Sequence, residues 1–182
     1  MDSEKPPPTL APFNPTADDA IGAALAFLQL RAGDVVVDLG CGCGKFLLAA
    51  ARACEGVVCR GYEYDAGVLE RGKERLARAV AAGGREAEAA SRVTLVLGDA
   101  SRPSLLEDAS VAFVYLVPTG LQLVQRGLLG VLERGGRLAS NMFQAPGCDA
   151  FLRRRLVLRG APLYLYGPEA LVAGIGGGQQ KL

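Results

Sequence analysis

Five short apolar runs recur along the chain, and sequence of helical period separates most of them. They are "DVVVDLG", "VVCRGYEYD", "RVTLVLGDA", "VAFVYLVP" and "RLASNMF". Continuous apolar runs mark strands covered on both faces, and parallel neighbours need crossover helices between them. The intervening segments meet that need. "TADDAIGAALAFLQLRAG" predicts a helix with Thr16 as N-cap, Gly33 as its stop, and Ile21, Leu25, Phe27 and Leu28 on one stripe. "GKFLLAAARACEG" predicts the next helix, closed by Gly56. "AGVLERGKERLARAVAAGG" predicts a third, with Val68, Leu69, Leu76 and Val80 inward, and "TGLQLVQRGLLGVLERGG" a fourth. "RLVLRGAPLYLYG", two β-rich runs split by Gly-Ala-Pro, reads as a closing hairpin. The fold class is therefore α/β: a Rossmann-like, doubly wound, mostly parallel sheet ending in an antiparallel hairpin, with helices on both faces. Ligand sites in such sheets lie beyond the strand carboxyl ends, at the switch point.

The first strand runs into that edge as "VVVDLGCGCGKF". A dinucleotide loop, GxGxxG, counted from Gly40 needs glycine at residue 45, which is Lys45; a P-loop needs Ser or Thr after Gly44-Lys45, and Phe46 stands there. Asp38 would repel an anion and hold a cationic amine. Glu63, 25 residues after Asp38, ends the second strand, where a carboxylate accepts ribose hydroxyls well. Asp65 is its rival and suits a helix cap. Asp99 ends the third strand, where it can accept from an adenine amino group, with Ala100 supplying a backbone donor. Tyr64 neighbours the same edge. Three acids at successive strand ends suit an adenosine without phosphate.

"VVVDLGCGCG", "GYEYD" and "LGDAS" together resemble the class I S-adenosylmethionine-dependent methyltransferases over about residues 16 to 142. The resemblance implies S-adenosyl-L-methionine as cofactor. It also implies that Gly40, Gly42 and Gly44 pass against its methionine part, that Asp38 places the loop and amine, and that Glu63 binds the ribose. Cys41 belongs to the same loop. Within that class, Phe13 to Thr16, Tyr115 to Pro118 and Ser140 to Phe143 resemble the small protein-lysine methyltransferases of the ATP synthase c subunit and adenine nucleotide translocase type, with their soluble relatives. That narrower resemblance implies a lysine acceptor and adds Pro15 and Thr16 to the cofactor site. Phe13 departs from it, since tyrosine is usual there, and the membrane segment of the mitochondrial members is not seen.

Tyr115, at the end of the fourth strand, is either a core aromatic or a residue that positions the methyl acceptor. Asn141 has the same two readings, as a sheet residue or a functional one. Lys45 is assigned no chemistry, and Cys41 and Cys43 read as packing in a tight loop.

Composition removes other classes. The 182 residues contain no histidine, which excludes Ser-His-Asp and Cys-His catalysis. The five cysteines lack CxxC pairs, so no metal site is expected and reduced thiols fit a cytoplasmic protein. Net charge is +1, but Arg126 to Arg159 holds seven arginines against Glu133 and Asp149. Its simplest reading is a solvated helix end; its functional one makes Arg153, Arg154 and Arg155 docking residues for a protein substrate. An "NPPY"-type motif is absent where "YLVPTG" stands, which weighs against nucleic-acid bases as substrate. The alternatives are methylation of RNA or a small metabolite, or a catalytically silent cofactor-binding scaffold. Residues 1–15 read as a flexible proline-rich leader, 16–173 as the catalytic domain and 174–182 as a flexible glycine-rich tail, with no signal, transit or membrane-spanning segment expected.

Overall fold

The computed structural model describes residues 10–174. The tail expected over 174–182 and the first nine residues of the leader fall almost wholly outside that range. Helix α1 (Asp18–Leu28) precedes strand β1 (Val35–Leu39), then α2 (Lys45–Ala53), β2 (Val58–Glu63), α3 (Ala66–Ala82), α4 (Gly84–Ser91) and β3 (Val93–Leu97). The second half continues through a 3-10 turn (Pro103–Leu106), β4 (Val111–Val114), α5 (Pro118–Glu133), β5 (Arg137–Asn141), β6 (Leu152–Leu158) and β7 (Ala161–Tyr166).

The seven strands lie in the order β3-β2-β1-β4-β5-β7-β6. β1 to β5 are parallel, and β7 runs antiparallel to both β5 and β6. The expected doubly wound sheet and closing hairpin are both present. The order reverses between β1 and β4, so the crevice of the switch point opens there. Helices α1 to α4 cover one face, joined to Val36, Cys59, Phe113 and Ala139; α5 covers the other, joined to Val37, Ala112, Val114 and Leu138. Phe46 of α2 stacks on Phe113 of β4 with ring centroids 4.0 Å apart, which fixes α2 over the crevice.

Several local expectations are corrected. Thr16 does not cap α1: the cap position is Ala17, without a side-chain bond, while Thr16 is buried and its carbonyl oxygen accepts from Lys45. Asp18 and Asp19 in the first turn complement the helix dipole instead. The helix stops at Leu28, five residues before Gly33, because Gln29 turns left-handed (φ 45°) and Arg137 donates to the carbonyls of Leu28 and Gln29. That arginine also pairs with Asp34, which accepts from Ser110 Oγ at 2.8 Å and from Arg31 N–H at 2.7 Å. Burial pushes the Asp34 carboxyl up, yet these three donors outweigh it and hold it below its ordinary value. In α3, Val80 is 55% exposed and Gly72 and Ala79 take inward positions; a Cβ on Gly72 would already stand 2.7 Å from Leu95 Cδ1 of β3. Helix α4 itself was not anticipated; the chain re-enters helix directly after Gly83. Finally, Arg153, Arg154 and Arg155 lie in β6, the outer edge strand, rather than at a helix end.

Candidate functional site

A cleft of ≈ 230 Å³ lies beyond the carboxyl ends of β1, β2 and β4. Asp38, Gly40, Cys41, Gly42, Glu63, Tyr64, Ala100, Tyr115, Pro15 and Thr16 all line it. Gly44 and Asp99 do not. Gly44 turns the chain into α2, and the Asp99 carboxylate accepts from Ser101 N–H at 2.8 Å, closing its own turn.

The loop after β1 is held by β2. Gly40 and Cys41 N–H both donate to the Tyr62 carbonyl, at 2.9 and 3.0 Å. Glu63 accepts from Gly42 N–H at 2.9 Å and, on its other oxygen, from Tyr64 and Asp65 N–H at 2.8 and 2.9 Å. Three of about four carboxylate acceptor sites are thus filled by backbone, leaving one for a ligand. Asp65 is the N-cap of α3, accepting from Gly67 and Val68 N–H, so the two neighbouring acids divide the roles. Gly40 and Gly42 have φ of +74° and +54°. A Cβ at Gly40 would stand 2.9 Å from Leu116 Cδ2, and one at Gly42 2.9 Å from Phe13 Cε2. Any side chain at either would force the wall apart.

Asp38 is only 3% exposed, and no hydrogen bond or ion pair of the described residues reaches its carboxylate. Burial, reinforced by the Glu63 carboxylate, pushes it well above the ordinary carboxyl range. A buried, unpartnered acid on a cleft wall is matched by a cationic or donor group of a ligand, and it disfavours an anion. Cys41 belongs to the same wall. Burial, with Asp38 and Glu63 adding to it, pushes its thiol up, so it presents a neutral surface rather than a nucleophile. Among the described residues no three His, Cys, Asp or Glu side chains gather as a metal site.

The roof comes from residues 10–16, of which sequence reading placed only Pro15 and Thr16 at the site and counted 1–15 as leader. Leu10 packs on α5 against Gly120, where a Cβ would stand 2.2 Å from the Leu10 carbonyl oxygen. At the other end Lys45 Nζ bonds the Thr16 carbonyl at 2.8 Å and pairs with Asp18 at 3.0 Å. Between them Phe13 lies over Gly42, with the Arg71 guanidinium 6.0 Å from its ring, and Asn14 Nδ2 donates to Tyr115 Oη at 2.8 Å. Lys45, Asn14 and Leu10 were missed as site residues. The available signal was Leu10 and Phe13 among the prolines, large apolar groups that a solvated linker does not need.

No protein-family model matches the chain. Its structure is similar to an RNA methyltransferase from Salinibacter ruber crystallised with S-adenosyl-L-homocysteine (25% identity, 86% of this chain and 95% of that one, TM-score 0.66). It is also similar to a SAM-dependent methyltransferase from Thiobacillus denitrificans with the same ligand (27% identity, 75% of this chain and 54% of that one, TM-score 0.53). A segment of 58 residues is 45% identical to 23S rRNA (uracil(1939)-C(5))-methyltransferase RlmD of Xanthomonas euvesicatoria, and the match spans 32% of this chain but 13% of that relative. The architecture is that of the Rossmann-like class I S-adenosylmethionine-dependent methyltransferases.

Proposed function

We propose that the chain is an S-adenosyl-L-methionine-dependent methyltransferase whose acceptor is a lysine amine of a protein. The observation that carries the cofactor half is Asp38, a buried carboxylate without a partner beside a glycine loop pinned by Glu63. Solved neighbours of the same fold hold S-adenosyl-L-homocysteine. The cofactor, when bound, supplies a methyl group on a positively charged sulfur. Asp38 would hold its amine, the free acceptor site of Glu63 its ribose hydroxyls, and Ala100 and Tyr64 its adenine edge. Pro15 and Thr16 would close the roof.

The acceptor half rests on the β4 and β5 edge. Tyr115 lines the cleft there, followed by the Leu116-Val117-Pro118 segment that enters α5. The acceptor nitrogen must be neutral because its lone pair attacks the methyl carbon; the chain has no histidine to take its proton, and desolvation on entering the cleft lowers an amine's pKa. Beyond β5 the described residues form only a hairpin and 3-10 turns, and no domain covers the cleft. A macromolecular substrate would complete the enclosure. Arg154 and Arg155 on β6, three strands from β4, are proposed to meet acidic groups of that substrate. Arg155 lies 5.8 Å over the Tyr164 ring, and Arg153 is turned back on the Ala150 carbonyl.

Incubation with tritiated S-adenosyl-L-methionine and a cell lysate tests the reading. The expected outcome is label in protein that survives ribonuclease and is recovered as methyllysine after acid hydrolysis. Label confined to ribonuclease-sensitive material would overturn the lysine assignment. No binding of the cofactor by calorimetry would overturn the methyltransferase reading itself.

A further inference from the structure

We propose that β3 is a homodimer interface: two copies of the chain join their β3 edges antiparallel, about a two-fold axis at Leu95, into one continuous sheet. The pairing would hold whatever the cleft binds. β3 ends the sheet and pairs only with β2. Cys59 N–H donates to the Arg92 carbonyl and Gly98 N–H to the Glu63 carbonyl, both at 2.9 Å. Successive residues of a strand point their amides to alternate sides. Thr94 and Val96 therefore bond toward β2, while Val93, Leu95 and Leu97 turn N–H and C=O outward. Among the described residues nothing bonds these outward groups.

The two edges of the sheet differ. β6, at the far side, carries Arg153, Arg154 and Arg155 and a register shift between Leu152 and Arg154, charges and irregularity that discourage further pairing. β3 reads V-T-L-V-L in unbroken register, with no charge or proline, and Val96 and Leu97 stand 38% and 54% exposed. A sheet open at one edge and blocked at the other can close a pair but cannot grow a polymer.

A second copy suits this edge in register and in charge. With Leu95 facing its own counterpart, Val93 faces Leu97 of the second copy, and every outward N–H meets an outward C=O. On the other face Thr94 stands beside Val96 of the second copy, an uncharged β-branched pair. Arg92 precedes the strand and Asp99 follows it. Antiparallel pairing sets Ser91 opposite Asp99 and Arg92 opposite Gly98 of the second copy, so opposite charges adjoin at both ends. Parallel pairing would bring Arg92 against Arg92. One strand pair buries less than the roughly 1,200 Å² of stable complexes, so a Kd of about 10–100 µM is expected.

Sedimentation velocity of the full chain from about 1 to 500 µM brackets that Kd. It should show 19.0 kDa at the lower end and twice that mass at the upper. Leu97→Pro removes an N–H that the single copy leaves unbonded, so it should keep the fold by circular dichroism and weaken the dimer at least tenfold. Register is read separately, and independently of how well Leu97→Pro folds. Thr94 and Val96 of the second copy form a non-hydrogen-bonded pair, with Cα atoms about 4.5 Å apart, within disulfide range. Under mild oxidation a mixture of Thr94→Cys and Val96→Cys should crosslink, whereas either alone, and wild type with its five cysteines, should not. A single copy at every concentration, a dimer indifferent to a folded Leu97→Pro, or a dimer that the cysteine mixture fails to trap would each overturn the proposal.

Discussion

Asparagine in place of Asp38 separates two opposing effects of one carboxylate. In the free protein the group is buried, unpartnered and repelled by Glu63, so its pKa is raised. A folded-state pKa above the unfolded value of about 3.9 means that its contribution to stability is fully present below that value and is lost as pH rises through the folded one. At neutral pH the free protein therefore carries this group at a disadvantage, which Asp38→Asn removes. Unpartnered buried polar groups cost about 1–3 kcal/mol, and charged ones more. A gain of roughly 2 kcal/mol, about 4–8 °C in Tm for a chain of this length, is expected at pH 7.5. It should shrink toward pH 4.5, where aspartic acid and asparagine become alike. Under the proposed function the same substitution removes the partner of the cofactor's amine. Losing one member of a buried charge pair costs about 2–4 kcal/mol, or roughly thirtyfold to a thousandfold in Kd. Thermal denaturation at both pH values, with and without S-adenosyl-L-methionine, reads both effects. A lower Tm at pH 7.5 would refute the reasoning about burial. A cofactor-induced shift as large as that of wild type would remove Asp38 from the amine contact.

Other consequences can be checked more briefly. Gly120→Ala puts a methyl group where the Leu10 carbonyl stands, so residues 10–16 must lift. Cofactor affinity should fall about tenfold, and limited proteolysis should open a cut near Pro12 while the core resists. Arg137→Met leaves Asp34 buried with two of its three partners and uncaps α1; a loss of about 3–5 kcal/mol is expected from urea denaturation. Because Asp34 has a lowered pKa in the fold, its contribution exists above the unfolded value and disappears as pH falls through the folded one, so wild type should lose stability from about pH 5 downward and the variant more gently. Arg154→Glu with Arg155→Glu should raise KM for the protein substrate several-fold and leave cofactor Kd within twofold. With a lysine acceptor and no imidazole base, kcat/KM should rise about tenfold per pH unit until the amine titrates, without a second ascending limb from the enzyme.

Period and punctuation carried the sheet, because strand runs and crossover helices are local patterns. The hairpin was legible for the same reason, but not its turn: Arg159 and Gly160, both at positive φ, make it, and Ala161 and Pro162 already belong to β7. The carboxylates Asp38 and Glu63 were legible as strand-end acids, but the division between Glu63 and Asp65 needed coordinates: which acid turns back to the Gly42 amide depends on a contact 21 residues away. Thr16 misled because a capping residue and a residue held by Lys45 look alike in sequence. Val80 misled because its small neighbour Ala79 takes the inward position, and α4 went unannounced because "REAEAA" has little apolar stripe. The link from Asn14 to Tyr115 spans 101 residues and has no periodic signature at all. Such contacts are decided by tertiary packing, and sequence reading reaches only their separate ends.

The two halves of the cleft differ in charge, and the difference follows the sheet. Strands β1 and β2 contribute Asp38 and Glu63, while Tyr115 follows β4. If the first half holds a permanently cationic ligand, carboxylates there are useful; if the second receives an amine that must stay neutral, carboxylates there would be harmful. β1 and β4 are paired neighbours, with Asp38 opposite Phe113, so the two halves adjoin across the switch point. Residues 10–16 span both halves. Their Thr16 carbonyl is tied to Lys45 beside the glycine loop, and their Asn14 to Tyr115 on the acceptor side. A cofactor that settles Pro15 and Thr16 would therefore also settle the Tyr115 hydroxyl, so acceptor binding should strengthen once the cofactor is in place. Displacing the segment at Gly120, at its far end, should weaken that coupling without changing a residue of either half.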